Sequence, residues 1–214
     1  MRRLFILVAT LPIYLMMYGQ NALECWKAMP DDLLPYLDAS SRMELVDRYD
    51  ISLKADDKGS LNISVANRLK GTTRIDTLTA NYLRLTLNSR ATWEMKLLAT
   101  DGDDFMIATS MTVTGESADS KVSLFSRDWK HLSDTIFTGP TLLERPDTMT
   151  ESAFSELLGQ ISLVLWKAEF SPNNNDLMLS PSLLFIPHGE RERFAALFVP
   201  RKLRRNGVSW NAGN

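Results

Sequence analysis

Apolar and polar positions divide the chain into a leader, a helical opening, a long run of alternation and a mixed closing third. From Leu4 to Met17 (LFILVATLPIYLMM) no charge interrupts the chain; Arg2 and Arg3 precede the run and Tyr18-Gly19-Gln20-Asn21-Ala22 follow it. That is the order of a cleavable secretory signal. The run is shorter than the ~20 apolar residues of a spanning helix, and Pro12 removes a helix donor within it. Residues 1–22 are therefore expected to be a signal peptide, cut after Gln20 or Ala22, and residues 23–214 to fold as one domain; two lobes meeting near 140–147 are the alternative.

Helical spacing runs from Met29 to Tyr49 in two pieces. Pro30, Asp31 and Asp32 suit a first turn, and Leu33, Leu34 and Leu37 offer an apolar face. Ser41 with Glu44 reads as a capping box opening a second helix through Leu45, Val46 and Tyr49. Strand alternation follows. It is brief at 61–65, then sustained: Leu83, Leu85 and Leu87 against Arg84 and Thr86, and after the turn at 88–90, Trp93, Met95 and Leu97 against Glu94 and Lys96. Turns at 101–104 and 115–119 separate strands at 105–113 and 122–125, which together make an antiparallel meander.

The stretch 127–146, with Gly139-Pro140, reads as a connection. Thr150 caps a helix over 151–158 that Gly159 ends. A hairpin of 161–170 and 177–186 turns at 171–176, with Pro181 marking an edge strand. A helix over 190–199 stops at Pro200, and 203–210 returns as a last strand. The expected class is α+β: antiparallel sheet or sheets in meander order, short N-terminal helices, and two further helices packed on the sheet.

Charge and cysteine narrow the partners. With 24 basic and 26 acidic residues the chain has no field to attract nucleic acid, and no segment after the leader is apolar enough to span a bilayer. The single cysteine, Cys25, excludes an internal disulfide. Ala22-Leu23-Glu24 puts an acid where lipid attachment needs a small residue, so Cys25 beside Trp26 reads as a small buried hydrophobe.

Site chemistry is sparse. Asp101-Gly102-Asp103-Asp104 lacks the spacing of a calcium loop and reads as a polar hairpin turn, as does Asp56-Asp57-Lys58-Gly59. His131 and His188 have no partner at metal-ligand spacing, and both read as structural. There is no phosphate loop, G-x-S-x-G elbow or H-E-x-x-H. No cofactor is expected. The basic run Arg201 to Arg205 reads as a solvated face supporting the C-terminus of the preceding helix. Trp93 and Trp166 sit in apolar runs and belong to the core; Trp129 and Trp210, with polar flanks, are the candidates for surface aromatic contacts.

Three stretches belong together: Met29-Pro30-Asp31 with Leu33 to Leu37, Tyr82 through Trp93 to Leu98, and Asp119-Ser120 through Asp128-Trp129-Lys130. They resemble a family of secreted proteins of unknown function found in Bacteroidales, and with the leader and the strand at 177–184 the likeness covers most of the chain. The resemblance implies an exported envelope or periplasmic protein and carries over no catalytic residues. Bacteria of that group attach O-glycans at Asp-Ser/Thr before an apolar residue. Here Asp76-Thr77-Leu78, Asp134-Thr135-Ile136 and Asp147-Thr148-Met149 match, which makes Thr77, Thr135 and Thr148 candidates, the last two in the expected connection.

The leading expectation is thus a non-enzymatic envelope protein whose sheet faces or strand edges bind another protein or a glycan. The rival is a hydrolase whose site assembles from separated carboxylates and His188. A deep pocket gathering a histidine with carboxylates favours the second, shallow faces and an apolar patch the first.

Overall fold

The computed structural model describes residues 21–54, 63–100, 104–137, 143–161, 163–183, 189, 191–197, 199–206 and 209–212. The leader, both acidic turns at their centres, Gly139-Pro140 and His188 lie outside the described residues. Among the described residues no helix is long and apolar enough to cross a membrane.

The chain opens on a helix that the apolar pattern does not announce. In α1 (Ala22–Lys27) Asn21 caps the first turn by accepting the Leu23 N–H, and Trp26 is fully buried. A 3-10 turn at Asp31–Leu33 stands where the first helix was expected. The next helix, α2 (Ala39–Lys54), starts earlier than the capping box implies. Asp38 is its cap, with Oδ1 accepting the Ser41 N–H at 2.8 Å, because a short acceptor at that position reaches a free donor of the first turn three residues on.

Seven strands then pair in chain order, each antiparallel to the last: β1 (Ser64–Ala66), β2 (Thr72–Leu78), β3 (Tyr82–Asn88), β4 (Ala91–Ala99), β5 (Phe105–Thr114), β6 (Ala118–Ser126) and β7 (His131–Ile136). β2 was not expected, and β7 replaces part of the expected connection. After α3 (Glu151–Gln160), capped by Thr150 and running through Gly159, comes a second antiparallel sheet in the order β11-β10-β9-β8. Its strands are β8 (Val164–Phe170), β9 (Leu177–Leu183), β10 (Arg201–Asn206) and β11 (Ser209–Ala212). Between β9 and β10 a single turn of helix, α4 (Arg191–Phe194), passes into a 3-10 turn at Ala195–Leu197, shorter than the helix expected there.

Period two sorts the seven-stranded sheet into two buried faces. Leu83, Leu85, Leu87, Trp93, Met95 and Ile107 pack against Trp26, Leu34, Leu37 and Leu45 of the helical opening. On the reverse face Tyr82, Leu98, Ala108, Val122 and Leu124 meet Trp166, Ala168, Phe170, Leu177 and Leu179 of the second sheet, with Leu157, Phe194 and Leu197 closing its margin. The result is three layers: helices, long sheet, short sheet. Pro181 corrects the edge-strand expectation, since β9 is interior. Its pairing with β10 covers only Leu177 to Leu179, so the proline, opposite Trp166 on β8, sits past the point where β10 would require its missing N–H.

Candidate functional site

β8 is the outer strand of the short sheet, yet its backbone edge is not open. Ser110 Oγ donates to the Ala168 carbonyl at 2.8 Å, Ser120 Oγ accepts the Ala168 N–H at 2.9 Å, and Glu94 Oε2 accepts the Phe170 N–H at 2.8 Å. Side chains of the long sheet thus stand where a neighbouring strand would. Glu94 is 2% exposed, and its Oε1 takes Arg84 Nη1 at 2.9 Å. The same Nη1 reaches Glu169 Oε1 at 3.0 Å, and Lys167 completes the chain of charges 2.7 Å from Glu169. Buried Lys96 donates to the Pro172 carbonyl at 3.0 Å and lies over the Tyr82 ring.

Burial pushes the Glu94 carboxyl up to about 7, against the pull of the Phe170 N–H and Arg84. Burial likewise raises the Tyr82 hydroxyl and lowers the Lys96 ammonium. Perturbed groups of this kind often mark active sites. Here both Glu94 oxygens hold donors and the carboxylate itself is buried, so the cluster fastens one sheet to the other.

Two surface clefts stand out among the described residues. One of about 380 Å³ runs between Glu144, Arg145 and Asp147 and Pro200, Arg201 and Lys202. Another of about 340 Å³ is lined by Ser64, Thr72, Arg74, Thr86 and Asn88. Neither has a histidine among its described lining residues. His131 stands on β7, where its Nε2 lies 3.0 Å from Asp134 Oδ1; that oxygen also takes the Ser123 hydroxyl at 2.6 Å, and Lys121 is 2.8 Å from Oδ2. These are the residue types of a catalytic triad in the wrong order, since serine must give its proton to histidine and here both serve the aspartate. Burial works to raise the Asp134 carboxyl, but hydrogen bonds from Lys121, Ser123 and His131 outweigh it and hold the group well below the usual carboxylate range. Among the described residues no group of His, Cys, Asp and Glu is placed to hold a metal ion.

The surface that remains is the outer edge of β7. The opposite edge strand, β1, is three residues long, and Arg48 Nη1 donates to its Ser64 carbonyl at 3.2 Å. β8 is fastened down as described, and β11 has four residues. β7 has six, and among the described residues no hydrogen bond reaches its outward backbone. Proteins ordinarily blunt such an edge; here the one irregularity is a register shift at Leu132, and the stretch from Ser133 to Ile136 pairs with β6 in regular alternation. Leu132 and Ile136, 46% and 57% exposed, flank Asp134 on one face of this strand.

The family model described as "Protein of unknown function (DUF3256)" matches residues 14–210. The chain belongs to the DUF3256 family. Among solved structures it is similar to one described as "Structure of a domain of an uncharacterized protein from Porphyromonas gingivalis W83", with a TM-score of 0.67 and 17% identity over 89% of this chain and 96% of that one. At that identity the likeness concerns the fold. No curated protein matches the chain. The resemblance to a family of unknown function is met in this way, and the family brings no activity with it.

This DUF3256 chain does not present the two tryptophans expected at its surface. Trp129 is 7% and Trp210 8% exposed. At φ 61° the backbone of Trp129 turns back in the left-handed region, so the ring packs on Phe125 at 5.4 Å and Nε1 donates to the Cys25 carbonyl at 2.9 Å. Trp210 lies opposite Arg205 across β10 and β11 and packs on Phe170 at 5.8 Å. Their polar neighbours in sequence belong to a tight turn and to strand alternation. Cys25 is half-buried against the first core, where burial raises its thiol.

The basic run is also corrected: Arg201 to Arg205 forms β10, with Arg201 on Glu144 and Lys202 2.6 Å from Asp176. Thr77 is half-buried in β2 and Thr135 half-buried in β7, with their aspartates engaged by Arg74 and by Lys121. Thr148 is exposed in a turn. The inter-sheet groups Glu94, Ser110, Ser120 and Glu169 escaped the sequence because alternation marks a polar face without saying what covers it.

Proposed function

We propose that this DUF3256 protein is an exported, non-enzymatic binding module of the cell envelope that takes an extended segment of a partner protein onto the open edge of β7. The single observation that carries the reading is that edge: the fold blunts β1 and fastens β8, and leaves β7 with exposed Leu132 and Ile136. Strand addition gains backbone hydrogen bonds along the whole segment and needs no deep pocket. The glycan alternative is weaker now that Trp129 and Trp210 are in the core. Among the described residues no cleft joins a histidine to free carboxylates, and His188, on which the hydrolase alternative rests, lies outside them.

A photo-reactive phenylalanine analogue placed at Leu132 or Ile136 should give one discrete adduct in cells of the source species, while the same group at Ile51, equally exposed on α2, should not. Equal labelling from both places would remove the reading.

The export part of the reading concerns the other end of the chain. Asn21 caps α1, and Ala22 is fully buried with its N–H donating to the Ala80 carbonyl at 2.8 Å. Both residues serve the fold, so we place cleavage after Gln20 rather than after Ala22. Of the three glycan candidates, Thr148 alone combines an exposed side chain with a turn. Intact-mass measurement on the envelope protein is expected to show a chain beginning at Asn21 and carrying one glycan that Thr148→Ala removes; an unmodified full-length mass would refute both.

A further inference from the structure

We infer that the segment received by β7 carries an apolar-cationic-apolar triplet at alternate positions, facing Leu132, Asp134 and Ile136. The inference rests on the strand-addition reading above and specifies the partner. Asp134 and Ile136 oppose Ser123 and Lys121 on one face, while Ser133 and Thr135 oppose Leu124 and Val122 on the reverse side; Leu132, the extra residue where the register with β6 shifts, precedes Ser133 and so alternates onto the side of Asp134. A residue directly opposite on an added strand has its Cβ about 5 Å away, close enough for charge and apolar contact to select it.

Asp134 sits at the centre of this face. Lys121, Ser123 and His131 approach it from β6 and from β7 itself, yet 36% of its side chain stays open to solvent. Lys121 and His131 are the charged or titratable groups that meet it, and both lie on the inner side or along the strand; the outward direction has no counter-charge among the described residues. A lysine or arginine opposite completes the carboxylate's surroundings. An acid there meets a like charge, which opposes pairing. On either flank, Leu132 and Ile136 present apolar surface that an apolar residue opposite would remove from water.

The same face argues against a second copy of this chain as the occupant. Antiparallel neighbours keep opposed residues on one face of the sheet, so a symmetric β7 pair has two long registers. One sets Asp134 against Asp134 of the second copy. The other sets it against Leu132. The first opposes two carboxylates and the second buries a charge on an apolar partner. A heterologous segment avoids both.

The test uses the whole chain and three labelled peptides of extended design, identical except that valines flank lysine, serine or glutamate at the central position of one face. Fluorescence anisotropy should give the lysine peptide at least ten-fold tighter binding than the glutamate peptide, and Asp134→Asn should erase most of that difference. Ile136→Lys, at an exposed position that leaves the fold intact, should abolish binding of the lysine peptide. Equal binding of lysine and glutamate peptides, or discrimination that survives Asp134→Asn, overturns the triplet while Ile136→Lys still reports on the edge. No binding by any peptide, or binding indifferent to Ile136→Lys, overturns the edge reading as well.

Discussion

Replacing Glu94 with alanine is expected to lower stability by about 3 kcal/mol at pH 5 and by less at pH 8. The magnitude comes from what the substitution leaves behind. Phe170 N–H, now bonded to Glu94 Oε2, would be a buried donor without a partner, worth about 1–3 kcal/mol, and Arg84 would lose the most buried of its three carboxylates. The dependence on pH comes from burial, which lifts the Glu94 carboxyl from 4.5 to about 7. The folded protein therefore holds this proton more tightly than the unfolded chain, so the associated stability is complete below about 4.5 and is lost as pH rises through about 7. Alanine has no such proton, and the gap between the two proteins narrows across that window. Glu94→Gln, which keeps the volume and a neutral head, should flatten the slope. Urea midpoints at pH 5 and pH 8 read all of this directly; equal slopes for wild type and Glu94→Gln would show that Glu94 does not titrate there.

The second large effect is expected at Arg42, which is 1% exposed on α2. Its Nη1 donates to Asp31 Oδ1 at 2.8 Å and to the Leu37 carbonyl at 3.2 Å, and its Nη2 to the Met29 carbonyl at 2.6 Å. One guanidinium therefore holds the irregular chain between α1 and α2 against the sheet. Arg42→Met keeps an apolar stem and strands two buried carbonyls, a loss of about 2–4 kcal/mol. Arg42→Lys should recover only part of this, because an ammonium cannot reproduce the planar fork. Denaturation should show the order wild type, Lys, Met, with hydrogen exchange quickening first at 29–38; a Met variant as stable as wild type would mean that Arg42 contributes only packing.

Much of the long sheet was legible because one of its faces is apolar throughout β3 and β4. Leu83, Leu85 and Leu87, then Trp93, Met95 and Leu97, alternate with polar residues and are buried as that pattern requires. β2 escaped because only Thr73 and Ile75 are fully buried in it, and β7 because an outer strand has little to bury. α1 follows the leader too closely for its short apolar face to stand apart. Glu94 and Lys96 have the period of a solvent face, and only the second sheet, some 75 residues further along, turns that face inward. The expected surface role of Trp129 failed for a similar reason: its contact with Cys25 spans |i−j| = 104. The candidate edge was not legible either, since an unpaired edge is a property of sheet order.

That sheet order also gives assembly a direction. Each strand from β2 to β7 finds its partner in the strand just before it, so every pairing closes a short loop and each step costs little chain entropy. The short sheet has no such freedom of timing, because the outward groups of Ala168 and Phe170 on β8 are met by Glu94, Ser110 and Ser120, which stand in place after β4, β5 and β6 have paired. The first sheet is the mould in which the second sets.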